Sequence, residues 1–443
     1  MMKRRDFIGG SLFLGAGALS GALSGCAEEG PKRATALDEG VIWQPGARGV
    51  WKGPYVQLLA PGRARIRFET RVDEETPMTL FRGGSREVLR PIRSPMSLEY
   101  ARSFHEFFGE SEEYDALEEE LRGYIGDEAG LHVIHEVIVE DLLPGEEVIF
   151  RVEQLEGEPI VGSFIAPKPP GESVRLGWLA DTMFPRARDA ILALSAHSPD
   201  LILHGGDITY DTGIFDSWNR VMNTMAPLSL QAPLHFLVGN HEYESQDEIN
   251  AQYDRLFSGQ GEPGVRERSF ALSYGGVRVI ALSIARSFDE LDEEQLRWLD
   301  DELERASSDR DVREIVVAYH RPSFTFSKYF HSDPGVRDAL HKRFVRHGVR
   351  LVLAGHVHAY ERFEVDGVVY IVDGGGGALT YDPDERLESM RELRPEEESM
   401  RKYASRSHGV SVFDLLDSGE LRIRRIAADD QRIQDEVTLP ARG

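Results

Sequence analysis

Between residues 174 and 375 short runs of valine, isoleucine and leucine, with polar or glycine residues at their ends, alternate with turns or stretches of helical period. The runs are VRLGWLA, LILHGG, LHFLVGN, VRVIALS, REIVVAYH, RLVLAGH and VVYIVDGG. Strands so continuous in apolar residues have both faces buried, as in a mostly parallel sheet covered by other layers. Their alternation with helical periods predicts an α/β sandwich. In sheets of this kind ligands gather beyond the carboxyl ends of the strands.

Those ends carry a consistent chemistry. Asp181 follows the first run, Asp207 and Tyr210 lie in GDITYD after the second, and Asn240, His241 and Glu242 follow the third. His320 ends REIVVAYH, and His356 and His358 follow RLVLAG. Each alone is an ordinary helix cap or turn residue. Oxygen and nitrogen donors at five strand ends together predict a metal-ligand cluster. His356 and His358 are expected to face the site side by side, because an extended chain points residues i and i+2 the same way. His204, His235, His341 and His347 lack such a pattern and read as core or surface residues.

The first 26 residues read as a targeting segment rather than as fold. A basic start (Lys3, Arg4, Arg5) leads into a glycine-rich apolar run too short to span a bilayer, which ends at Cys26, the single cysteine of the chain. Arg4-Arg5 resembles a twin-arginine export signal, and Leu23-Ser24-Gly25-Cys26 resembles a bacterial lipoprotein cleavage box. These imply export in the folded state and a lipid anchor on Cys26, on the periplasmic or outer face of a bacterial membrane, with residues 27–48 as a tether.

The formal net charge is −25, and loss of the signal makes it about two units more negative. No basic stripe accompanies the excess, which disfavours nucleic acid as a partner. The acidic run FDELDEEQLRWLDDELER (288–305) keeps leucines at helical spacing and reads as an amphipathic helix with a solvated face.

Residues 49–168 have a different texture. Short stretches such as YVQLLA, RARIRFET, VIHEVIVEDL and EVIFRVEQL, separated by Pro-Gly turns, predict a small β-sandwich. Residues 96–127, rich in aromatics and glutamate, read as a helical insertion. APKPPGE (166–172) is a linker to a catalytic domain over 169–443. The charged segment 383–405 reads as helical, either a lid or solvated surface.

GDITYD, GNHE and GHVHAYER, with the glycine-rich YIVDGGGGALTY after them, resemble the calcineurin-like metallophosphoesterase superfamily and, within it, the purple acid phosphatases. GPYVQLLAPGRARIRFET and LLPGEEVIFRVE resemble the fibronectin type III-like domain that precedes many of their catalytic domains. The resemblance covers about residues 50 to 430 and implies a four-layer α/β/β/α sandwich after a small β-sandwich. It implies that Asp181, Asp207, Tyr210 and His358 bind a first metal, and that Asp207, Asn240, His320 and His356 bind a second, with Asp207 shared. His241 would lie beside the leaving group with Glu242 behind it as orienter, and His331 would contact substrate unless it is a surface loop residue. Where diesterase-like branches carry Asp-x-His, this chain has Asp181-Thr182-Met183, and Tyr210 supplies the replacement donor. A phenolate, whose ordinary pKa is about 10, suits a hard trivalent ion, so Fe(III) is expected at the first site. Zn(II), Fe(II) or Mn(II) would suit the second. The implied function is hydrolysis of small phosphate monoesters by a metal-bound hydroxide. A phosphodiesterase, nucleotidase or pyrophosphatase of the same superfamily, and a non-catalytic lipid-anchored binding protein, are the alternatives.

Overall fold

The computed structural model describes residues 48–98, 130–184, 186–210, 216–243, 248–265, 268–285, 291–327, 334–385 and 395–442, which all fall in one compact unit, residues 33–443. The expected signal, the tether up to residue 47, residues 99–127 of the expected insertion and His331 lie outside the described residues, and residues 96–98, expected to begin that helical insertion, instead end the strand Ile92–Leu98.

Eight strands between Val50 and Ile165 pair into two antiparallel four-stranded sheets. One has the order Val50–Ala60, Arg63–Thr70, Gly130–Val139, Ile92–Leu98, and the other Ser85–Leu89, Met78–Arg82, Glu147–Val152, Ile160–Ile165. Ile66, Phe68, Phe150 and Phe164 are buried in one apolar cluster drawn from both sheets.

Two larger sheets follow. In the six-stranded one, Leu234–Phe236, Leu201–His204 and Val174–Leu179 run parallel, then Gly409–Leu415, Leu421–Ala427 and Ile433–Leu439 complete it antiparallel. The eight-stranded sheet has a parallel centre of Val277–Ala281, Glu314–Tyr319, Leu351–Ala354 and Val368–Asp373. Strand periodicity fixes the layering. In Glu314–Tyr319, Val316 and Ala318 join a cluster with Leu176, Trp178 and Phe413 of the other sheet. The alternate residues Ile315, Val317 and Tyr319 pack with Trp298, Leu299, Leu340 and Phe344 of two helices, Glu293–Ser308 and Pro334–Arg346. On the far side, Ile202 and Val412 pack with Ala190, Ile191 and Leu194 of helix Ala187–Ala196. Helices therefore cover both outer faces of two facing sheets, and each fully buried aliphatic side chain in them contributes about 1.5–3 kcal/mol.

Two expectations change in detail. Helix Glu293–Ser308 starts at Asp292, whose side chain accepts from Gln295 N at 2.9 Å, but Glu302 is buried rather than solvated and pairs with Arg278 at 2.8 Å. Of the segment 383–405, Pro395–Met400 is helical and Arg401–Ser405 is the last strand of the eight-stranded sheet, paired with Tyr360–Val365. From Arg401 on, the segment is sheet edge.

Candidate metal centre

The parallel strands of both sheets end at the same place. Asp181, Asp207, Tyr210, Asn240 and His241 come from the six-stranded sheet, and His320, His356 and His358 from the eight-stranded one. Backbone hydrogen bonds continue past the strands into these loops, from Asp181 N to Gly206 O (3.1 Å) and from Gly355 N to His320 O (3.0 Å). Asp181, Asp207 and His356 have φ of 61°, 49° and 70°, the left-handed region that side chains other than glycine occupy at a cost. Non-glycine residues held in this region cluster at functional sites, where the surrounding structure over-determines them.

The donor atoms converge in two groups. In the first, Tyr210 OH lies 2.8 Å from Asp181 Oδ1 and 2.6 Å from His358 Nε2, which is itself 3.5 Å from Asp181 Oδ1. In the second, His320 Nε2 lies 3.1 Å from Asn240 Oδ1, 3.2 Å from His356 Nδ1 and 3.3 Å from Asp207 Oδ2. His320 Nδ1 donates to Gly205 O at 2.8 Å and His358 Nδ1 to Leu379 O at 2.7 Å. In the neutral form that a metal ion would bind, each imidazole therefore keeps its proton on the outer nitrogen and turns the lone pair of the inner one to the site, the arrangement that metal-ligating histidines adopt. Ligand atoms of Asp207, His320 and His356 lie within 4.8 Å of one another. Carboxylate, amide oxygen and imidazole at these separations fit a metal ion.

The paired histidines reach their positions by a route the extended-chain argument does not contain. The strand ends at Ala354, and Val357 N bonds to Gly355 O across His356, while Ala359 N bonds to Val357 O across His358. These are three-residue turns, and the first is the strained form with positive φ. They send His356 to the second group and His358 to the first. His241 sits beside both, its Nε2 3.9 Å from Asp207 Oδ2 and its ring 4.3 Å from that of Tyr210.

Close approach here needs glycine. A Cβ on Gly239 would stand 2.1 Å from Asp207 Oδ1, and one on Gly355 would stand 2.7 Å from Asp181 Oδ2.

Electrostatics among the side chains are divided. Burial pushes Asp181 up to about 7, with the Asp207 charge adding to it against the pull of His320. Burial would also raise Asp207, but His320 and His241 hold it well below the ordinary carboxylate range. Burial opposes the charge on His320, yet Asp207 raises it to about 9. Burial, Asp181 and Asp207 push the Tyr210 phenol well above its usual value. In protein stripped of metal, Asp181 is a carboxyl whose folded pKa exceeds its unfolded one. Its stabilising contribution is thus present below about 4 and lost as pH rises through about 7. Melting temperatures in chelator at pH 5 and pH 8 should therefore differ more for the wild type than for Asp181→Asn, and equal slopes would refute the assignment.

Several residues serve the site without signalling it in sequence. Glu242 does not stand behind His241. Its buried carboxylate accepts from Gly239 N (2.6 Å), Ile208 N (2.8 Å) and Asp207 N (3.0 Å), tying together the loops that carry Asp207 and Asn240. Glu361 accepts from Thr325 Oγ1 at 2.6 Å and Phe326 N at 3.1 Å, bracing the loop after His320. Tyr360 and Arg362 both bind Asp435, at 2.9 and 2.7 Å, so the end of the GHVHAYER block is structural. The glycine run crosslinks the first and last blocks: Gly374 N bonds to Val357 O, Gly376 N to Ala180 O and Ala378 N to Asp181 O. Behind it, the fully buried Arg425 pairs with Asp373 at 3.2 Å. Of the four histidines set aside, His204 is buried against Phe236 and bonded to Thr182, His235 meets Leu58, His341 bonds Tyr370, and His347 lies near Glu304.

Residues 176–360 match the family model of the calcineurin-like phosphoesterases. Purple acid phosphatase 15 of Arabidopsis thaliana is 30% identical over 231 residues, covering 43% of this chain and 42% of that protein. Probable inactive purple acid phosphatase 1 of the same plant is 25% identical over 278 residues, covering 54% and 43%. The matched part spans less than half the length of these curated relatives. Among solved structures, purple acid phosphatase PPD1 from yellow lupin (Lupinus luteus) seeds aligns with a TM-score of 0.67 at 16% identity over 88% of this chain and 74% of that one. PhoD aligns with a TM-score of 0.59 at 10% identity over 89% of each. The fold is thus the mixed α/β fold of these proteins, and the chain carries a calcineurin-like metallophosphoesterase domain. Its homologues include proteins named as purple acid phosphatases, some of them as probable inactive ones.

Proposed function

We propose that this chain is a dinuclear-metal phosphatase that hydrolyses small phosphate monoesters. The observation that carries this reading is the division of the donors into two groups, Asp181, Tyr210 and His358 in one, Asn240, His320 and His356 in the other, with Asp207 as the carboxylate to be shared. No member of the expected ligand set is missing, which argues against a non-catalytic binding protein. Bound metal ions in such a site lower the pKa of water and neutralise phosphoryl oxygens.

The chain's own residues supply the rest. Tyr210 is the donor that selects the first ion. Its proton is held by Asp181 and by burial, so only a strongly polarising cation displaces it, which favours Fe(III) there and Zn(II), Fe(II) or Mn(II) in the second group. His241 is partly open, at 23% side-chain exposure, and its Nε2 lies 3.9 Å from Asp207 Oδ2, which supports its role as the group that would give a proton to a leaving alkoxide. Met183 in the position of a further histidine counts against the diesterase branch.

The visible spectrum and metal content of wild type and Tyr210→Phe test this. A tyrosinate-to-ferric band in the wild type that disappears in the variant is the expected result. Two divalent ions with no band would remove the Fe(III) assignment and bring the neutral-pH phosphoesterase alternative forward.

A further inference from the structure

Asn240 and His241 are delivered by the shortest strand of the six-stranded sheet, Leu234–Phe236, an edge strand whose outer side pairs with no further strand among the described residues. Three residues of strand are too few to fix a ligand by themselves, and bare edges are normally blocked. Here the block is a side chain. Gln260 Oε1 accepts from Phe236 N at 3.0 Å and its Nε2 donates back to Phe236 O, so one amide imitates a neighbouring strand. Tyr253 OH adds a bond to the same carbonyl at 2.7 Å.

Gln260 is in turn held from the N-terminal strands. Gln57 Nε2 donates to Gln260 Oε1 at 2.8 Å, and Gln57 Oε1 accepts from Arg65 Nε and Nη2 at 2.9 and 2.6 Å. All three side chains are buried, at 0%, 5% and 4% exposure for Gln57, Gln260 and Arg65. The relay has a single polarity. A guanidinium only donates, so the oxygen of Gln57 must face Arg65 and its NH2 must face Gln260, which leaves the NH2 of Gln260 for the Phe236 carbonyl. Buried networks satisfied in one arrangement only are rigid. Around it, Leu58 N meets His235 Nε2 at 3.0 Å, and Arg65 Nη2, Arg67 and Tyr55 bind the carbonyls of Phe257 and Leu256 at 3.1, 2.9 and 2.6 Å. Those carbonyls end helix Glu248–Phe257, which lies just beyond the Asn240 loop.

We infer that Arg65, Gln57 and Gln260 are positioning residues for the second metal: the N-terminal strands set the place of Asn240 through this relay and are part of the catalytic scaffold rather than a recognition module. The inference rests on the proposed ligand role of Asn240.

Titration of chelator-treated full-length protein with Fe(III) and then Zn(II), one equivalent of each expected, read by calorimetry and elemental analysis, tests it. Gln57→Leu should leave one equivalent near wild-type affinity and weaken the other about tenfold, the lower end of what lost supporting bonds cost a metal site. Arg65→Lys, which keeps the charge but not the fork, should show the same split more weakly. Ser229→Ala removes a contact between the same regions outside the relay (Ser229 Oγ to Pro54 O, 2.8 Å) and should change neither equivalent. The inference is overturned if both Gln57→Leu equivalents stay within a factor of about two of wild type, or if both weaken together as the melting temperature falls. Asn240→Leu separates the two levels, because retention of both equivalents in that variant would remove the ligand role itself.

Discussion

Asp207→Asn should lower turnover on a phosphate monoester by on the order of 10^4-fold, the scale on which a member of a unit that acts together is lost, and reduce bound metal from two ions to at most one. The reason is polarity rather than shape. Asp207 Oδ1 accepts the backbone N–H of His241 at 2.9 Å, so in the variant the amide oxygen must take that place. The NH2 then replaces Oδ2, which lies 3.3 Å from His320 Nε2, and a donor stands where a shared carboxylate would have to offer a lone pair. The backbone does not object, since asparagine tolerates the φ of 49° found there. A melting temperature close to wild type, with metal and activity gone, is therefore the expected combination. A variant that keeps both ions and a tenth of its activity would show that Asp207 is not the shared ligand.

The main lines of this arrangement were legible in sequence because they are local. Apolar runs marked the strands, and the donors stood directly after them, so the strand ends carrying Asp181, Asp207, Asn240, His320 and His356 could be read in order. What sequence reasoning missed depends on contacts between distant segments, which leave no period in the chain. The strained turn at His356 looks like strand continuation until Val357 N is seen to bond Gly355 O. Glu242 looks like a neighbour of His241, yet its length carries it back to residues 207 and 208. Arg425 lies 52 positions beyond Asp373 and pairs with it because strands Gly409–Leu415 and Leu421–Ala427 close the six-stranded sheet. The one usable local signal was the run Gly374–Gly377, where four glycines in succession imply backbone at close quarters.

Glu242 is where the second large effect should appear. Its two oxygens accept three backbone N–H groups, Gly239 and Asp207 on Oε2 and Ile208 on Oε1. Glutamine can satisfy the pair or the single donor, never both, because its NH2 meets an N–H with another N–H. At least one buried amide is left unpaired at a cost of about 1–3 kcal/mol, and the strain falls on the backbone of Asp207 or Gly239, next to the donors of the second group. Burial and the Asp207 charge raise Glu242 to about 7 against the pull of the Gly239 and Ile208 N–H groups, which favour the anion. Glu242→Gln should thus weaken metal binding by about 10- to 100-fold, with excess metal restoring most of the activity. Restoration separates a misplaced ligand from a lost catalytic group. If saturating metal leaves the variant inactive while two ions are bound, Glu242 has a part in the chemistry beyond holding these two loops together.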